Sequence, residues 1–191
     1  TVEASFDLLE YRIADIGVFS DPSDLRLAPV SVTVLVQGAL RQVSILQRRS
    51  DHPIVLDVPK GMPAVMVDSE SITRAMAHVI DNAIKFGNSQ TVKIYTRESS
   101  EGIEMVVEDQ GDGIPDGLMP HLFTPLLQGD GSTTRRHSGL GIGLALVKMI
   151  LDAHEIAIDI QTRPQEGTTV AFEMPYAKLA EPMTSQTAAE D

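Results

Sequence analysis

The sequence predicts a two-layer α/β sandwich, a mixed sheet of antiparallel hairpins packed against helices. Three observations predict it. TVKIYTRE and GIEMVVED read as two strands joined through Ser99, Ser100 and Glu101; EIAIDIQTR and GTTVAFEMP read as a second pair joined through Pro164 to Glu166. Between Asp68 and Gly87, residues Ile72, Met76, Val79, Ile80, Ala83 and Ile84 fall on one face at helical spacing. With 42% hydrophobic residues over 191 positions, the chain can bury a core as one domain with appendages.

At the N-terminus, Val2, Phe6, Leu9, Ile13 and Ile16 step by 4, 3, 4 and 3 residues. That is the seam of a helix in a bundle or coiled coil, although an ordinary amphipathic helix fits as well. The chain starts inside this pattern and so reads as a piece of a longer protein. FSDPSDLRLAP (19–29) is a connector, and a helix is expected from Ser31 to about Arg48. IVLDV (54–58) and AVMVD (64–68) read as strands around the turn VPKGMP. The next helix is capped by Asp68 or Ser69, carries Glu70 in its first turn and stops at Gly87-Asn88. After the first hairpin, GDGIPDGLMPHLFTPLLQGDGSTTRRHSG is rich in loop-forming residues, and GIGLALVKMILDA is a helix. From about Ala177, AKLAEPMTSQTAAED has little to bury, and a disordered tail is expected.

Charge and composition narrow the function. The chain has 27 acidic against 15 basic residues, a net charge of −12, which argues against broad binding to nucleic acid or anionic membranes. It has no cysteine, hence no disulfide framework and no thiolate nucleophile or metal ligand. No apolar run approaches the ~20 residues needed to span a bilayer, and no signal-peptide pattern is present.

Three stretches carry chemistry. In HVIDNAIKFG, His78, Asn82 and Phe86 lie at i, i+4 and i+8 with Lys85 beside them, so a base, a neutral oxygen ligand, a ring and a cation share one side of a helix. For any one of them a solvated face is the simpler reading; the combination points to a ligand. In EDQGDGIP, Asp109 ends a strand and Gly111 and Gly113 follow. A carboxylate there can accept hydrogen bonds from an amino group, and glycines let backbone approach a flat ligand; a tight turn is the plainer alternative. In HSGLGIGLALVK, Gly139, Gly141 and Gly143 alternate at the mouth of a helix, where free N–H groups and the dipole favour an anion. A capped helix after a flexible loop would not need three glycines. Neither a P-loop nor a Rossmann fingerprint is present.

Together these segments resemble the nucleotide-binding domain of the superfamily of DNA gyrase, Hsp90 chaperones, sensor histidine kinases and MutL proteins. HVIDNAIKF looks like its N box, EDQGDGIP its first glycine box, LFTPLL its F box, HSGLGIGLALVKMI its second glycine box, and EGTTVAFEMP its closing strand. Order and spacing agree over about residues 30–175. LFTPLL, LALVK and GTTVAFEMP look most like sensor histidine kinases, and LEYRIADIGVFSDPSDLRLAPVSV resembles their passage from the second dimerisation helix into the catalytic domain.

The resemblance implies a Bergerat-type ATP-binding fold with the end of a dimerisation helix over 1–20, a connector over 21–29 and the catalytic domain over 30–176. It implies ATP and Mg²⁺, with Asn82 as the metal ligand, Lys85 on the phosphates and Phe86 near the nucleotide. Asp109 would accept from the adenine amino group, Gly111 and Gly113 would admit the base, and Ile114 would form its floor. Phe123 and Leu140 would belong to the same site. Gly139, Gly141 and Gly143 would hinge a lid spanning 124–138, Thr168 would support adenine or a bridging water, and Arg135 and Arg136 are the candidates for a γ-phosphate contact. His78 occupies a position where most sensor kinases carry asparagine and the gyrase and Hsp90 branches a glutamate base; base, orienting and space-filling roles stay open. Glu155 stands where the family usually has glycine, which puts a turn geometry in question.

None of His52, His78, His121, His137 and His154 has the sequence context of a phosphoacceptor. The expected partners are therefore a separate histidine-containing dimerisation domain and a response regulator receiver domain, with a homodimeric parent and no nucleic acid. A cytoplasmic location is expected, whether or not the parent is anchored in a membrane. The alternatives are an ATP-binding serine kinase, a conformational ATPase of the same superfamily, and a degenerate binding module.

Overall fold

The computed structural model describes residues 25–47, 52–125 and 141–177. The N-terminal seam, the C-terminal tail and the positions of Arg135, Arg136, Gly139 and Leu140 lie outside the described residues. Strands β1 (Ala28–Ser31), β2 (Ile54–Asp57), β3 (Ala64–Val67), β4 (Val92–Glu98), β5 (Gly102–Glu108), β6 (Ile158–Arg163) and β7 (Gly167–Pro175) are joined by helices α1 (Val32–Gln47), α2 (Ser69–Phe86) and α3 (Gly143–Ala153). A 3-10 helix spans Asp116–His121, inside the stretch read as loop.

The main sheet has the order β2-β4-β5-β7-β6, with β2 parallel to β4 and every other pair antiparallel. Both expected hairpins form, so the α/β architecture with antiparallel strands against helices is as the sequence implied. The two strands read around VPKGMP do not pair with each other. β3 pairs with β1 in a separate two-stranded sheet, and β2 takes the edge of the main one. Val65 and Val67 are fully buried whereas Val55 and Leu56 are about half exposed, so the two strands meet different surroundings. Ala28 and Pro29, at the end of the connector as read, already belong to β1.

One core joins the layers. Ile94, Ile103, Met105, Val107, Phe172 and Met174 of the sheet meet Ile72, Met76 and Ile80 of α2 and Leu146 and Ile150 of α3. The six apolar residues expected on the inner face of α2 are all buried. Asp68 caps that helix, its Oδ1 accepting the Ser71 N–H at 2.9 Å. Its Oδ2 accepts the Arg26 N–H at 3.0 Å, and its own N–H donates to His154 Nε2 at 3.1 Å. Burial pushes the Asp68 carboxyl up, but the N–H groups of Ser71 and Arg26 outweigh it and hold the group below its ordinary value. The segment leading into β1, the start of α2 and the end of α3 are thereby tied at one residue.

The turn placed in question by Glu155 is left-handed. Glu155 has φ 58°, its N–H donates to the Asp152 carbonyl at 3.0 Å, and the Ile156 N–H donates to the Leu151 carbonyl at 2.8 Å. This is the paired closure that favours glycine after a helix, here built with a side chain in place.

Candidate functional site

The middle strand, β5, delivers Asp109 to the end of the sheet. Asp109 is only 8% exposed. Its Oδ1 accepts the Gly111 N–H at 2.8 Å and the Thr168 N–H at 3.3 Å, and its own N–H donates to the Thr168 carbonyl at 2.9 Å. Both bonds fall on Oδ1; Oδ2 accepts none among the described residues. Burial pushes this carboxyl above its ordinary value; the N–H groups of Gly111 and Thr168 pull it back, and neighbouring Glu108 adds to the rise.

The turn after Asp109 is pressed between α2 and the β6–β7 hairpin. A Cβ at Gly111 would stand 1.9 Å from the Phe86 carbonyl oxygen. Gly113 has φ 71°, and a Cβ there would stand 2.3 Å from the Arg163 carbonyl oxygen. Both positions therefore require glycine, one for closeness and one for handedness as well. The turn is tied down by Asn88 Nδ2 donating to Asp112 Oδ1 at 2.6 Å, the Gln165 N–H donating to the Asp112 carbonyl at 2.9 Å, and the Ile114 N–H donating to Thr162 Oγ1 at 2.8 Å.

The stripe on α2 is not a solvated face throughout. His78 is 3% exposed and sits against the first turn of α3, where a Cβ at Gly143 would be 3.3 Å from its Nδ1. Asn82 is half-buried and Phe86 is 49% exposed. Lys85 pairs with Asp81 one turn back, and only 17% of its side chain and 4% of that of Asp81 is exposed. The helix α3 starts at Gly143 with no side-chain cap, after Gly141 at φ 67°. Its first N–H groups are the kind that an anion satisfies.

The structure thus gathers Phe86, Asp109, Gly111, Gly113, Ile114 and Thr168 around one turn, and separately sets His78 against Gly143. Phe123 instead lines an open groove along α3 with Leu25, Lys148, Met149 and Asp152. Sequence reasoning missed Asp81, Asn88 and Thr162. Asp81 had a signal, the i,i+4 spacing to Lys85; Asn88 and Thr162 act across the fold and had none.

The chain matches the family model described as histidine kinase-, DNA gyrase B-, and HSP90-like ATPase over residues 67–178. Sensor histidine kinase YkoH of Bacillus subtilis is 30% identical over 139 residues, which is 73% of this chain and 30% of the relative. Adaptive-response sensory kinase SasA of Synechocystis is 31% identical over 152 residues, 77% of this chain and 38% of the relative. The chain spans about a third of the length of these curated relatives. Among solved structures, full-length ShkA in complex with AMPPNP has a TM-score of 0.70 at 26% identity, covering 94% of this chain and 38% of that one. The mycobacterial sensor histidine kinase MprB has a TM-score of 0.66 at 26% identity, covering 81% of this chain and all of that one. YkoH and MprB are sensor histidine kinases and SasA a sensory kinase, and the chain belongs to the histidine kinase-, DNA gyrase B- and HSP90-like ATPase family.

Proposed function

We propose that this chain binds Mg-ATP and directs the γ-phosphoryl group to a histidine on a dimerisation domain, as the catalytic part of a two-component sensor kinase. The observation that carries the reading is Asp109: a buried carboxylate with Oδ1 occupied by backbone and Oδ2 open, beside a turn that only glycine fits. Such a group accepts from an amino group; set against position 6 of a purine, it favours adenine, which carries an amino group there, over guanine, which carries an oxo group. Gly111, Gly113 and Ile114 receive the ring, and Thr168 supports it. The first turn of α3, from Gly141 and Gly143, presents N–H groups to the phosphates. Gly139 and Leu140 join the same site by their place in the second glycine motif, and Arg135 and Arg136, just before it in sequence, are the candidates for a γ-phosphate contact.

The donor set fits Mg²⁺ held jointly with the nucleotide. Among the described residues no three acidic or histidine side chains cluster to hold an ion alone. Asn82 offers one hard oxygen, and phosphate oxygens and water would complete the shell. The ion supplies charge neutralisation at the phosphates; Lys85, steered by Asp81, adds to it. The receiving histidine brings its own nucleophile, so the domain needs no base. The burial of His78 against Gly143 favours a packing or orienting role for it and favours the kinase over a hydrolytic clamp.

On this reading residues 1–20 end a dimerisation helix, 21–27 form the connector that leads into β1, and the parent is a homodimer that passes the phosphoryl group to a receiver domain. No helix of the described residues is long and apolar enough to cross a membrane. The test is calorimetric titration of ATP and GTP with and without Mg²⁺. Binding of ATP alone, tightened by Mg²⁺, is expected, followed by transfer of labelled phosphate to a separately supplied histidine-bearing domain. Equal binding of GTP would remove the adenine reading, and no binding would reduce the chain to a degenerate module.

A further inference from the structure

Thr162 lies on β6 directly opposite Thr168 on β7. Alternation along the strands places both on the helix-facing side, in line with Ile158 and Ile160 and with Val170 and Phe172. Thr162 Oγ1 lies among three polar atoms at once: the Ile114 N–H at 2.8 Å, the Gly167 carbonyl oxygen at 3.1 Å and Thr168 Oγ1 at 3.2 Å. A hydroxyl has one proton and two lone pairs. The carbonyl of Gly167 can only accept, so the Thr162 proton goes there. The Ile114 N–H can only donate, so it takes one lone pair. The remaining lone pair is satisfied by the proton of Thr168. This assignment fills the capacity of Thr162 completely and fixes the direction of the bond between the two threonines.

We infer that Thr162 is a positioning residue for base selection: it takes the Thr168 hydroxyl proton, so that Thr168 faces the bound nucleotide as an acceptor. The inference rests on the adenine-nucleotide reading above and deepens it. With its proton committed, Thr168 joins Asp109 in presenting acceptors, and a purine with an amino group at position 6 satisfies both. A 6-oxo purine places an acceptor against acceptors, which costs the desolvation of unpaired groups. The same hydroxyl fixes the turn through Ile114, so one side chain sets both the floor under the base and the polarity of the group beside it.

The experiment titrates ATP and inosine triphosphate, which differ at position 6 of the purine, into the wild type and into Thr162→Val, Thr162→Ser, Thr168→Val and the double valine variant. Thr162→Val keeps the shape of the side chain and removes the hydroxyl. It should weaken ATP about tenfold, the loss of one hydrogen bond with its partner stranded, and weaken inosine triphosphate less, so the preference between the two narrows. Thr162→Ser should keep both affinity and preference. The double variant should discriminate no worse than Thr168→Val alone, because Thr162 reads the base through Thr168. If Thr162→Val does not fold, Thr162→Ala carries the same readout. Equal weakening of both nucleotides, with the preference intact, would make Thr162 a structural prop and overturn the inference while leaving adenine binding in place. A wild type that binds neither nucleotide overturns the underlying reading instead.

Discussion

Asp109 and Thr168 hold each other twice: the Asp109 N–H donates to the Thr168 carbonyl at 2.9 Å, and the Thr168 N–H donates to Asp109 Oδ1 at 3.3 Å. The first bond continues the β5–β7 ladder beyond the Glu108–Thr169 pair; the second spends one carboxylate oxygen on backbone. A side chain anchored in this way cannot swing away from the end of its strand.

Asp109 should trade stability for binding. Burial is the main influence on its carboxyl and raises its pKa. The folded chain therefore holds this proton more tightly than the unfolded chain, and ionised Asp109 opposes folding at neutral pH. That penalty shrinks as the pH falls through the raised value. Asp109→Asn should melt at a higher temperature than the wild type at pH 7, with the difference closing toward acid pH. Its ATP affinity should fall by about 1.5–3 kcal/mol, the range for a hydrogen bond involving a charged group. Calorimetry reads both; a lower melting point at pH 7, or unchanged ATP affinity, would count against this account.

Asn82→Ala should separate the metal from the base. Its affinity for ATP without Mg²⁺ should stay near that of the wild type, while the gain on adding Mg²⁺ should largely disappear. Titration at a series of Mg²⁺ concentrations measures this. A full Mg²⁺ response in the variant would remove Asn82 as the ligand.

Asp81 and Lys85 form an ion pair largely withdrawn from water. Removing one partner strands the other, so Asp81→Ala should cost about 1–3 kcal/mol in urea unfolding, below the range for fully buried pairs because Lys85 retains some access to solvent. Replacing both, Asp81→Leu with Lys85→Met, should recover much of the loss, whereas simple additivity of the two single effects would show that the pair is not coupled.

Glu155 carries a strained backbone for the sake of the turn after α3. Glu155→Gly should stabilise the fold by about 1 kcal/mol, the cost of a side chain in the left-handed region less the entropy glycine loses on folding. Thermal unfolding reads it, and nucleotide affinity should be unchanged.

Much of the fold was legible because local pattern and tertiary outcome agree. The inner face of α2 and both hairpins are written in periodicity and turn residues, and Asp68 and Gly87 mark the helix ends. The pairing of β2 with β4 was not legible, since these parallel neighbours meet across the intervening β3 and α2 and not through the turn VPKGMP. The site divides in the same way. Asp109 and its glycines are visible as a motif, because the backbone approach they permit is a local property. His78 was read as one member of a polar stripe, yet Gly143 of a distant helix covers it. Thr162 lies 48 residues from the N–H it holds, and no spacing in the sequence announces that contact.

Asp109 grows from the central strand of the main sheet, flanked on both sides by long antiparallel partners. Its amide is therefore protected by the most cooperative part of the molecule, and amide hydrogen exchange at Asp109 and Thr168 should track global unfolding rather than local opening. The base-reading half of the site is then already ordered before any ligand arrives. Little configurational freedom remains there to be lost on binding, and discrimination between purines becomes a matter of matching donors to fixed acceptors.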